Sequence, residues 1–283
     1  MAFEDLVGYP SQKPPVGAQI DWGNPLSARL VGCWLLNEHG GKQLTNLARP
    51  ATLNFGGSTV WGLQPSGGTG IKCVNAGDRA DLTTPANMKI TFPITLVLGM
   101  TQIGTGSAFC VLFGVSNSNA DVAPYIAYAV SNNTSNNWHI EGNVGGTYAD
   151  AYTTVAIANG YHFVVAVFGL GSDLKLYVDN VDLTLNNTFP SLTTSDPSYS
   201  STSLITFGAI SAVNRNPNSH FHFGYIFNRR MALQEINYLY RNPYGFLTPA
   251  ATRRRFFGAN QAAVLTPDLL LPAWLELPRS AEV

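Results

Sequence analysis

Charged residues are scarce in this chain. Lys, Arg, Asp and Glu make up 12% of its 283 residues, against about 25% in an average soluble protein. With 16 basic and 17 acidic side chains and a formal net charge of -1, it has no basic field to track a phosphate backbone, so nucleic acid is not an expected partner. The one basic cluster, Arg253-Arg254-Arg255, is too short to change that and reads as a contact to solvent or a neighbouring chain. Cysteine is sparse too. Cys33, Cys73 and Cys110 are odd in number, far apart and without CxxC spacing, which argues against a disulfide framework or a zinc site. Buried free thiols, made in a reducing cytoplasm, are the expectation. No apolar run reaches the roughly 18 residues needed to cross a bilayer, so no membrane partner is expected. Met1-Ala2-Phe3-Glu4-Asp5 opens without the basic and apolar regions of a signal peptide.

What remains is 45% hydrophobic with 27 glycines, and a surface that must be built largely from Asn, Thr, Ser and Gly. Such a surface is well solvated but weakly repulsive, which suits a component packed against neighbours. A single domain with one large core is the expected scale. Glycine-rich turns alternate with short β-branched and aromatic segments, predicting strands over 30–36, 52–55, 70–75, 94–101, 108–115, 125–130, 138–144, 153–157, 161–168, 174–178, 203–209 and 221–227. The first of these is apolar on both faces, the pattern of a strand buried between two layers. Many short strands without alternating long helices predict an all-β antiparallel sandwich or jelly roll. From Leu233 the period changes: Leu233, Ile236 and Leu239-Tyr240 mark one face of a short helix that Asn242-Pro243 ends.

Three stretches carry a family resemblance. They are Leu30-Val31-Gly32-Cys33-Trp34-Leu35-Leu36-Asn37-Glu38 before Gly40-Gly41, the turn Asn228-Arg229-Arg230-Met231-Ala232-Leu233, and Glu235-Ile236 followed by Asn242-Pro243-Tyr244-Gly245-Phe246. Over residues 18–248 the chain resembles the laminin G-like members of the concanavalin A-like jelly-roll superfamily, including domains of bacteriophage structural proteins. The resemblance implies fold rather than activity. Relatives often carry an Asp soon after the opening Gly pair, where this chain has Leu44-Thr45-Asn46, and this weakens an inherited metal site. Glycosidases of the superfamily set two or three carboxylates at alternate positions of one strand, whereas Glu141 has no carboxylate within two residues. Nor is there a GxSxG elbow. No enzyme activity, no cofactor and no metal are expected.

Other candidates have plain structural readings beside functional ones. His220 and His222 alternate on a predicted strand, as two metal ligands or as a pair of edge histidines. Asp78, Asp81, Asp179 and Asp182 could supply calcium oxygens, but Asp179-Asn180 also suits a tight hairpin. Trp61, Trp138, Tyr148 and Tyr152 lie near polar, Gly-rich loops and are candidate sugar-stacking residues, or else core fillers.

The expected organisation is an extended N-terminal arm over 1–20, a jelly-roll domain over 21–247 and an apolar, Pro-containing tail over 248–283. In the tail, Leu269, Leu270, Leu271, Trp274 and Leu277 need a partner surface and are candidate assembly contacts. The leading expectation is a non-enzymatic virion structural protein, a bacteriophage capsid-decoration, fibre or tail component made in the host cytoplasm. It would partner other virion proteins or copies of itself as a homo-oligomer. The alternative is a carbohydrate-binding module for host-surface or environmental glycans.

Overall fold

In the computed structural model the described residues are 13–63, 69–83, 88, 90–107, 110–116, 126–132, 135–144, 147–169, 174–187, 204–209 and 215–248. The predicted tail and residues 1–12 of the arm lie outside them. In chain order the strands are β1 (Gln19–Ile20), β2 (Leu30–Trp34), β3 (Gln43–Thr45), β4 (Thr52–Gly56), β5 (Val60–Leu63), β6 (Thr69–Cys73), β7 (Arg79–Thr83), β8 (Ile94–Gln102) and β9 (Val111–Ser116). They continue as β10 (Ile126–Asn132), β11 (Asn137–Val144), β12 (Thr147–Ala156), β13 (Gly160–Phe168), β14 (Leu174–Val178), β15 (Val181–Asp182), β16 (Asn186–Asn187), β17 (Leu204–Gly208) and β18 (Ser219–Phe227). The helix α1 (Leu233–Arg241) and β19 (Leu247–Thr248) close the described chain.

Among the described residues these strands form two large antiparallel sheets. One runs β16-β12-β11-β10-β9-β17-β7-β4-β3; the other runs β15-β14-β13-β8-β18-β6-β5, with β2 also paired to β18. Among the described residues the protein is therefore an all-β, jelly-roll-like antiparallel sandwich with one short α-helix. Between the sheets, Leu96, Leu98 and Met100 of β8 and Val164, Ala166 and Phe168 of β13 meet Phe113, Val130, Trp138, Ile140 and Phe207.

A second apolar layer lies on the outer face of the β8-β13-β18 sheet. Val97, Val165, Phe223, Tyr225 and Phe227 pack there beneath Ala18, Ile20, Leu26, Ile236, Leu239 and Phe246. This explains why β8 is buried at every position and why the predicted strand at 161–168 reads as nearly continuous β-branched and aromatic residues. Its sheet is covered on both faces.

The helix supplies part of that cover. Ile236 and Leu239 are its buried residues, and Glu235 accepts from the Ala232 backbone N–H at 2.8 Å and from Arg229 Nη1 at 2.7 Å. These bonds serve an otherwise orphaned donor at the helix start.

The arm reading changes for residues 13–20. β1 pairs with β19, Gln19 to Thr248 and Ile20 to Leu247, so this stretch docks on its own sandwich. Lys13 anchors it further back. Along one side of β18 the partner changes from β6, paired at 219–221, to β2, paired from Gly224. Lys13 Nζ donates to Leu36 O, just past β2, and to Thr69 O, at the start of β6. One ammonium thus satisfies two carbonyls where the ladder is interrupted.

Candidate functional site

Alternation along β11 sorts its residues onto two faces. Trp138 and Ile140 enter the core, while His139 and Glu141 point to the outer face. The register then sets Ser131, His139, Tyr152 and Asn186 in one line across β10, β11, β12 and β16. Glu141 lies two residues from His139, opposite Ala129 on one side and position 150, an aspartate, on the other. Residues directly opposite have Cβ atoms about 4.5–5.5 Å apart, so these side chains are neighbours in one continuous row.

Its inner members form a triangle. Ser131 Oγ donates to Glu141 Oε1 at 2.6 Å. His139 Nδ1 lies 3.0 Å from the same oxygen and 2.8 Å from Ser131 Oγ. All three residues are at most 3% exposed, Tyr152 is half-buried and Asn186 is exposed. A Ser-His-acid relay needs one imidazole nitrogen toward the hydroxyl and the other toward the acid. Here hydroxyl and carboxylate both meet Nδ1, and the serine proton points at the carboxylate. The triangle is a fixed polar anchor, built from a glutamate that looks isolated in sequence.

The four aromatic candidates separate. Tyr152 belongs to the row just described, and Tyr148 lies on the same strand opposite Asn143, its side chain outside the described residues. Trp138 is only 1% exposed and meets the His162 ring edge-on at 5.3 Å, so it fills the core and offers no face to a sugar. Trp61 lies at the far side of the sandwich. Its ring is half-buried against Phe55, 5.3 Å between centroids, and its Nε1–H donates to Gly41 O at 2.9 Å. It closes the gap between the two sheet edges. Leu269, Leu270, Leu271, Trp274 and Leu277 lie outside the described residues.

The aspartates proposed for calcium are engaged elsewhere. Asp78 is fully buried and accepts from the backbone N–H groups of Ser58, Val74 and Asn75. Asp81 pairs with Arg79, and Asp182 with Lys175 at 3.1 Å. Asp179 and Asn180 have φ of 51° and 69°, the left-handed pair that a two-residue hairpin turn requires. The Asp179 carboxylate also accepts from Phe163 N and contacts His162 Nδ1 at 2.8 Å. Cys33, Cys73 and Cys110 are buried thiols, and burial raises the pKa of Cys33 and Cys73.

No protein-family model matches the chain, and no curated protein matches it. Solved structures do match in shape. Trypanosoma rangeli sialidase aligns with a TM-score of 0.56 at 17% identity, over 84% of this chain and 36% of the sialidase. The binding domain of botulinum neurotoxin DC, solved with rat synaptotagmin II, aligns with a TM-score of 0.55 at 12% identity, over 75% of this chain and 51% of that one. A botulinum neurotoxin type C structure, whose cell entry depends on two ganglioside molecules, gives 0.56 at 12% identity, over 75% of this chain and 50% of its own. The chain thus spans about a third of the sialidase and half of the toxin chains. At these identities the likeness is one of fold alone: an antiparallel β-sandwich.

Proposed function

We propose that this chain is a carbohydrate-binding module of the lectin-like, concanavalin A-like kind. Its glycan-contact face would be the outer surface of β10, β11, β12 and β16. The observation that carries the reading is the register that lines up Ser131, His139, Tyr152 and Asn186 beside Glu141. Sugar recognition needs an aromatic face for the apolar side of the ring and fixed polar groups for its hydroxyls. Tyr152 supplies the first and Asn186 the second. The triangle beneath them holds its neighbours rigid, so little ordering entropy is lost on binding.

Structures of similar fold lend support, since one is a sialidase solved with sialic acid and another a toxin dependent on gangliosides. Binding is favoured over turnover because the serine proton is directed at a carboxylate rather than an imidazole. The virion-component reading loses one of its motives at residues 13–20, which grip their own sandwich. The test is titration of the full chain against a broad panel of neutral and acidic glycans. Saturable binding to at least one class is expected; flat isotherms across the panel contradict the proposal.

A further inference from the structure

The outer face of the other sheet carries a second polar row, set by the register of five strands. Val60, Lys72, His220, Thr101 and Tyr161 are successive partners across β5, β6, β18, β8 and β13. A register shift in β18 between Phe221 and Phe223 brings His222 to the same face. There its Nε2 meets Thr101 Oγ1 at 2.7 Å, and its ring packs edge-on against Tyr161 at 5.4 Å. Four nitrogenous side chains therefore converge: Lys72, His220, His222 and Lys13.

Their hydrogen bonding is uneven. His222 and Lys13 have partners, as described above. Both ring nitrogens of His220 are buried and have none among the described residues, although that side chain lies in the middle of the row. Beside it the sheet carries two glycines. Gly62 faces Gly70, and a Cβ added at Gly62 would lie 3.8 Å from His220 Cε1 and 3.4 Å from Lys72 Cβ.

We infer that Lys72 and His220, beside Gly62, form a binding site for an oxyanion: a sulfate, phosphate or carboxylate group, free or borne on a sugar. A metal ion does not suit this place, because two ammonium groups adjoin the histidines. An oxyanion gives the His220 ring the acceptor it lacks and offsets the like charges. Burial and Lys72 lower the pKa of His220. Burial, Lys13 and His220 lower that of His222. Both effects are those of a basic cluster without its counter-charge. The facing titratable groups are Lys72 from β6, His222 from β18, Tyr161 from β13 and Lys13, with Glu38 beside Lys13. An anion seated there drives His220 toward its protonated form, so binding should strengthen by about tenfold or more as pH falls from 7.5 to 5.5.

This site lies on the opposite sheet from the glycan-contact face, so the two stand or fall separately. The test follows the histidine ring resonances of the full chain during titration with sodium sulfate, chloride replacing it at constant ionic strength. The expected result is saturable movement of His220, weakened at least tenfold in Lys72→Gln. Gly62→Val, which crowds Lys72 and His220 without changing charge, should abolish it while the protein keeps its cooperative melt. Non-saturable movement, or an unchanged response in both variants, overturns the inference. A parallel titration with a sulfated disaccharide identifies the source. Affinity tenfold above that of sulfate marks a sugar-borne group, and equal affinity marks the free ion.

Discussion

Trp61 and Trp138 have similar local sequences but different fates. Position in the sheet decides the difference, since both face the core side and Trp61 pairs with the core residue Ile71. Trp138 shares a face with Ile140, and its ring disappears between the sheets, whereas Trp61 sits on an edge strand where one side of the sandwich stays open. Trp138→Ala should act on stability, costing about 3–5 kcal/mol as a large-to-small core change. Chemical denaturation reads it as a lowered midpoint, and an unchanged midpoint contradicts the core assignment. The His162 pair makes a second residue-scale prediction. Burial lowers its pKa, but the Asp179 hydrogen bond, the Ala158 carbonyl and the Asp179 charge together outweigh burial and leave it raised. A histidine raised on folding contributes stability that is full below its unfolded pKa and is lost as pH rises through the folded one. The stability advantage of the native chain over Asp179→Asn, which keeps the turn chemistry, should therefore shrink between pH 5.5 and 8. A constant gap across that range rules out the ion pair.

At the scale of elements, the strands legible in sequence are those with strong local signals. The segments predicted at 94–101 and 161–168 emerge as β8 and β13, and the Leu233, Ile236, Leu239 spacing emerges as α1 ending before Pro243. The elements that escaped, β3, β5, β7, β15, β16 and β19, are two to five residues long and exist through pairing rather than propensity. Gln19–Ile20 has no strand signal of its own and becomes β1 only because β19 is there to pair with it.

Lys13 shows how such non-local ties can be tested. Burial lowers its pKa to about 7, against a smaller opposing effect of Glu38. Between that value and the ordinary lysine range the unfolded chain binds more protons, so stability rises with pH. Above about pH 8.5 the buried thiols begin to oppose this, since thiolates form more readily in the unfolded chain. Melting temperature should thus rise more, or fall less, from pH 7 to 8.5 in the native chain than in Lys13→Met, which keeps every other titrating group. Parallel curves for the two proteins contradict the role assigned to this ammonium.

At the scale of the molecule, the described sandwich is three layers deep: two sheets and an outer cover made by the helix and the stretches around β1 and β19. Sequence reading reached the all-β class and the alternation of the core. The two polar faces were not legible, because each is assembled by register. Ser131, His139, Tyr152 and Asn186 come from four strands, and Lys72, Thr101, Tyr161 and His220 from four others. A glutamate without an acidic neighbour in sequence looks inert, yet β10 brings Ser131 and β12 brings position 150 alongside it. Likewise His220 and His222 read as a bare i, i+2 pair until the register shift in β18 and the two lysines are seen together.

The central claim is that the face carrying Tyr152 binds sugar. Its most direct test is calorimetric titration of the native chain, Tyr152→Ala and Trp61→Ala with the best ligand from the glycan panel. Stacking on one aromatic ring contributes about 0.5–1.5 kcal/mol beyond burial, so Tyr152→Ala should weaken binding severalfold to tenfold or more, while Trp61→Ala leaves it unchanged. Equal affinity for the native chain and Tyr152→Ala, or a loss confined to Trp61→Ala, would contradict it.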